Sequence, residues 1–180
     1  MLPIYDGPDV SEAPGKPGDH PLKGKRIYIP PMAYGSAQAF ASAFRAIGLE
    51  ACPQFAQMAA EDSTCEIWQQ DFLRLALPDA RFDGIFANAS LFHIPSRELP
   101  RVLRQLHATL KPDGVLFSSN PRGANEEGWN NGRYGVYHDV ESWRRYLAAA
   151  GFVELEHYYR PPGLPREQQP WLASVWRRQR

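Results

Sequence analysis

The sequence predicts an α/β fold: a mostly parallel sheet with helices on both faces, closed by an antiparallel C-terminal strand pair. Three observations lead there. Phe82 to Ala87 (FDGIFA) is a short apolar run of the kind that a strand buried on both faces needs. Leu99, Leu103, Leu106 and Leu110 recur at helical spacing, and Lys111-Pro112-Asp113-Gly114 then turns the chain into a second apolar run, Val115 to Ser119. That is a strand-helix-strand unit. Finally, Arg160 to Pro170 is rich in proline and leaves no room for a crossover helix, so the strands on either side of it run antiparallel.

Composition narrows the partners. The chain has 180 residues, 43% hydrophobic and 22% charged, which suits one domain with a continuous core. Its 20 basic and 20 acidic residues cancel, so no overall field draws it to nucleic acid or to an anionic membrane. A small-molecule partner is expected instead, with the protein itself a monomer or homodimer. Cys52 and Cys65 are too few for a disulfide framework and lack metal-ligand spacing. With no apolar run of membrane-spanning length and no signal-peptide pattern, a cytoplasmic location is expected.

Each element has its own signal. Residues 1–24 hold five prolines and four glycines with little to bury, which predicts a flexible N-terminal arm ahead of a single domain over 25–180. Ile27 and Ile29 sit in a β-prone run that leads into a helix capped by Ser36 and ended by Gly48. Ala37, Phe40, Ala41, Phe44 and Ile47 form its apolar face. A short helix over Gln54 to Glu61 and a strand over Cys65 to Trp68 follow. The helix before Lys111 is expected to take Ser96 as N-cap, with Pro100 in its first turn. Asn120 to His138 reads as a glycine- and asparagine-rich loop. Asp139 caps a helix bearing Trp143, Tyr146, Leu147 and Ala150 that stops at Gly151, and strands follow over Phe152 to Tyr159 and Trp171 to Trp176.

The segments IWQQDFLRLALP, RFDGIFANASLFHIP, LPRVLRQLHATLKPDGVLFSSNPRG, YLAAAGFVELEHYYRPPG and WLASVWRR, in that order, resemble the class I S-adenosylmethionine-dependent methyltransferases. The most specific of these cues is LKPDGVL after a leucine-rich helix. The resemblance runs from about Glu66 to the C-terminus and implies a Rossmann-like sheet, S-adenosylmethionine as cofactor and a small-molecule methyl acceptor. Before Glu66 the sequence departs from the family. The first strand-to-helix junction is Pro30-Pro31-Met32-Ala33-Tyr34-Gly35, with one glycine where the family carries a glycine-rich cofactor loop. Proline removes an amide donor there, and Met32 and Tyr34 add bulk where backbone would approach a ligand. Tyr34, Gly35 and Ser36 still offer one flexible residue and the amides of a helix N-terminus, which suit a carboxylate.

The resemblance also suggests site residues. Glu50 stands for the acid that bonds the cofactor ribose, provided that the preceding helix ends early; if it runs to Gly48, Glu50 falls at the wrong end of a strand. Asp71 and Phe72 correspond to the acid and apolar neighbour at the adenine, against the simpler reading of an Asp that ends a strand. Asn88 and Ser90 lie past the fourth strand, at the edge where open α/β sheets bind ligands, and serve equally as turn residues. His93, just beyond, is the candidate catalytic base or else a packing histidine. The resulting function is a small-molecule methyltransferase. The alternative is a non-catalytic protein of the same fold that lost the cofactor loop or exchanged its N-terminal unit, and acts by binding or self-association.

Overall fold

The computed structural model describes residues 27–29, 45–63 and 65–179. The expectations placed on the N-terminal arm, on the helix face from Ala37 to Phe44 and on Tyr34, Gly35 and Ser36 lie outside them.

Seven strands form the main sheet in the order β3-β2-β1-β4-β5-β9-β8. β1 (Ile27–Ile29), β2 (Ile47–Glu50), β3 (Glu66–Gln69), β4 (Phe82–Asn88) and β5 (Leu110–Pro121) are mutually parallel. β9 (Trp171–Arg178) lies antiparallel between β5 and β8 (Phe152–Arg160), as the proline-rich connection requires. The helices are α1 (Pro53–Asp62), α2 (Leu99–Thr109) and α3 (Val140–Ala149).

Period-two and period-3.6 patterns meet in the core. Ile85, Leu116 and Trp176 are lateral neighbours on one sheet face, and against that cluster pack Leu99, Val102, Leu103 and Leu106 of α2 with Trp143 and Leu147 of α3. All nine of these residues except Trp143, at 3%, are 2% exposed or less. α3 begins as expected: the Asp139 carboxylate accepts the Ser142 N–H at 2.7 Å. It stops at Gly151, whose φ of 90° favours glycine; a Cβ there would also come within 2.9 Å of the His107 ring.

Four expectations need correction. The helix expected to run to Gly48 does not reach it, because Ile47 and Leu49 are taken up as a strand paired to both Tyr28–Ile29 and Glu66–Trp68. Ile47 matched the helical face by spacing alone; two β neighbours outweigh that local signal. Ser96 does not cap α2. A turn on the Pro95 carbonyl, which accepts the N–H groups of Glu98 (2.8 Å) and Leu99 (3.0 Å), sets the start at Leu99 instead. Lys111 to Gly114 does not separate α2 from a strand but bulges out of a continuous β5, between the pairs Phe82–Leu110 and Gly84–Val115. The loop after Asn120 contains a hairpin, β6 (Glu126–Asn130) with β7 (Arg133–Tyr137). Its turn is Asn131-Gly132, both at positive φ (48° and 77°), the two-residue hairpin signal that the composition of the loop had masked.

Candidate functional site

The parallel register brings the carboxyl ends of β1, β2, β3, β4 and β5 to one edge, and four of the expected residues lie there. Because β2 starts at Ile47, Glu50 closes that strand at the correct end. Its Oε1 accepts the Cys52 N–H at 2.8 Å, which holds the carboxylate at the start of α1; Oε2 has no partner among the described residues. The Gln70 N–H reaches the Glu50 carbonyl at 3.0 Å and ties the β3 end to the β2 end.

Asp71 caps the short 3-10 turn Phe72–Arg74 by accepting the Leu73 N–H at 2.8 Å. The stretch that carries it has no long helix of its own, and polar side chains strap it down. The Gln70 amide pairs with both backbone groups of Ala76, while Arg101 and Gln105 of α2 donate to the carbonyls of Leu73 (3.2 Å) and Leu75 (3.1 Å). Phe72 is half-buried and leans on the core. Gln70 and Arg101, which sequence reasoning passed over, therefore position Asp71; nothing local marks them, since their partners lie across the fold.

Asn88 ends β4. Ala89 follows with φ of 54°, its N–H donated to Ser119 at 2.7 Å, and this turn buries Ser90 to 6% exposure. The Ser90 hydroxyl has no hydrogen-bond partner among the described residues. His93 is exposed, its ring tilted 37° against that of Phe92 with centroids 3.8 Å apart, and its Nδ1 lies 2.7 Å from the Tyr134 carbonyl of β7. A carbonyl only accepts, so Nδ1 carries the proton when the ring is neutral and Nε2 keeps its lone pair. The hairpin is docked at two further points. Glu127 accepts the Ser96 N–H at 3.2 Å and the Tyr134 hydroxyl, and Asn125 pairs with Asp139. The Ser96 and Tyr134 hydrogen bonds hold the Glu127 carboxyl below the usual range.

Below the hairpin, Asn120 and His138 line a small cavity with Phe92, Val136, Trp143 and Leu172. Burial lowers the His138 pKa, and burial with the nearby Arg178 charge lowers that of His107 on α2. Both rings are therefore held neutral in the fold but protonate once exposed by unfolding, so the unfolded chain binds more protons below about pH 6.5. Stability should be full above that pH and fall as it drops toward 5. Melting curves from pH 7.5 to 5 should show this slope, and His107→Gln with His138→Gln should flatten it; an unchanged slope in the double variant would exclude these rings as its source.

Comparison with known proteins points to the same fold. Residues 32–118 match the family model described as a methyltransferase domain, a span that includes the Glu50 region. No curated protein sequence matches the chain. Among solved structures, an S-adenosylmethionine-dependent methyltransferase from Mesorhizobium loti superposes with a TM-score of 0.72 at 17% identity, covering 87% of this chain and 92% of that one. The Burkholderia thailandensis 1,6-didemethyltoxoflavin-N1-methyltransferase, solved with 1,6-didemethyltoxoflavin and S-adenosylhomocysteine bound, gives 0.71 at 20% identity over 88% of this chain and 72% of that one. The 4+2 cyclase SpnF gives 0.68 at 19% identity over 87% and 75%.

The fold is that of these methyltransferase structures. The family-model match and these structures make the chain similar to S-adenosylmethionine-dependent methyltransferases. Among the described residues no helix is long and apolar enough to cross a membrane.

Proposed function

We propose that the protein is a methyltransferase that binds S-adenosylmethionine across the carboxyl ends of β1, β2 and β4 and methylates a small molecule. The observation that carries this is the convergence there of Glu50, Asp71, Asn88 and Ser90 with hydrogen-bonding capacity to spare. The second oxygen of Glu50 suits the ribose hydroxyls and that of Asp71 the adenine amino group, with Phe72 beside the ring. Asn88 and the unpaired Ser90 hydroxyl serve the cofactor from the β4 side, and Tyr34, Gly35 and Ser36 are assigned to its amino-acid end. The bound cofactor supplies a sulfonium methyl group: a bond from the acceptor's nucleophile to the methyl carbon forms as the carbon–sulfur bond breaks.

In such a displacement, alignment supplies most of the rate, and the acceptor's proton must leave. His93 is suited to take it. The Tyr134 carbonyl fixes Nδ1–H and aims the basic Nε2 away from the hairpin. His93→Ala is expected to leave affinity for S-adenosylhomocysteine within twofold of wild type and to slow transfer by roughly a hundredfold; undiminished turnover would remove His93 from the chemistry. The function itself is tested by incubating the protein with S-adenosylmethionine and a set of hydroxy- and amino-substituted aromatics and following S-adenosylhomocysteine and methylated product by mass spectrometry. Release of S-adenosylhomocysteine that depends on both protein and acceptor is the expected result. Release no faster than without protein across the set would count against it.

A further inference from the structure

Asn120 Oδ1 and both ring nitrogens of His138 are buried without a hydrogen-bond partner among the described residues. Asn120 is only 8% exposed, at the carboxyl end of β5. Folded proteins rarely leave such groups unpaired, and three atoms around one cavity require a common explanation. The cavity has a volume of about 10 Å³, room for one water. His138 also borders an open groove of about 660 Å³ between α2 and α3, whose walls include Ser96, Pro100, Ser142 and Arg145. His138 thus lines both the small cavity and the open groove.

We propose that this cavity is the closed form of the pocket for the methyl acceptor, a planar, uncharged molecule whose O–H or N–H group is recognised by Asn120 and His138. The inference rests on the methyltransferase reading for the word acceptor. The chemistry of the walls selects the class. Asn120 Oδ1 only accepts, so its partner must donate. His138 is held neutral by burial, so one ring nitrogen donates and the other accepts. Phe92 and Trp143 present aromatic surface and Val136 and Leu172 aliphatic surface, a setting for a flat ring. No Lys or Arg is among the described residues lining the cavity, and Arg145 lines only the groove, so a carboxylate or phosphate seated in the cavity itself would be buried without a counter-charge beside it. Among the described residues the hairpin above forms a sheet of its own, separate from the main sheet, with Val136 in the cavity wall and docking contacts through His93, Glu127 and Asn125.

Phenol and anisole test this directly, because they share a ring and differ in the donor. Titrated into the full chain and followed through the ring signals of His138, assigned with His138→Gln, phenol should shift them at millimolar concentration. Anisole should bind at least tenfold more weakly. Asn120→Leu, which replaces an unpaired buried acceptor by an apolar group of similar size and should fold, is expected to erase that preference. Equal response to phenol and anisole, no response to either, or a preference that survives in Asn120→Leu would overturn the inference. S-adenosylhomocysteine binding measured on the same sample separates the two readings. Binding without phenol selectivity overturns only the pocket. Phenol selectivity without binding overturns the methyltransferase reading and, with it, the acceptor role.

Discussion

Ser174→Ala should destabilise the protein by roughly 2–5 kcal/mol, far more than the loss of one small side chain suggests. Ser174 is 1% exposed, in the middle of β9. Its hydroxyl oxygen accepts two indole N–H groups, from Trp176 at 2.8 Å and Trp143 at 3.2 Å. Both lone pairs are then used, so its own proton must go to the Ser118 hydroxyl, 3.0 Å away on β5. One atom thus joins α3, β5 and β9. Alanine strands two buried donors, each costing about 1–3 kcal/mol, in a domain whose whole stability is expected to be about 5–15 kcal/mol. Ser118→Ala removes only the acceptor of the Ser174 proton and should cost about 1 kcal/mol. Denaturant midpoints at unchanged slope measure both, and a Ser174→Ala loss no larger than that of Ser118→Ala would contradict this hydrogen-bond assignment.

Glu50→Gln should weaken S-adenosylhomocysteine binding by roughly a hundredfold while barely changing stability. The amide oxygen can still accept the Cys52 N–H, so the turn into α1 is kept. What is lost is the charge of the acceptor for the ribose hydroxyls, and hydrogen bonds to a charged group contribute about 1.5–3 kcal/mol each. Calorimetry of the variant beside wild type, with melting temperature as the fold control, reads the two effects separately. Full affinity in Glu50→Gln would mean that the ribose is held elsewhere.

The fold was legible where signals were local. The run Phe82 to Ala87, the leucines of α2, the Asp139 cap and the prolines after Arg160 each announce an element by composition or spacing, and each stands where expected. Sequence failed at Ile47 because a four-residue strand between two neighbours is specified by pairing, not by its own residues. It failed at the hairpin because the surrounding glycines and asparagines mask the Asn131-Gly132 turn signal. The same division runs through the site. Glu50 and Asp71 are suggested by the family resemblance and Asn88 and Ser90 by the edge at which parallel strands end, and all four lie at that one edge. The straps from Gln70 and Arg101, and the isolation of Asn120 and His138, depend on residues distant along the chain and became visible only in three dimensions.

The proposed function requires that the carboxyl edge holds the cofactor despite the proline-flanked junction at Pro30 and Pro31. Isothermal titration of the full chain with S-adenosylhomocysteine is the most direct measurement. One site per chain with micromolar affinity is the expected result; no heat with millimolar ligand would contradict it and leave a methyltransferase fold that works by binding something else.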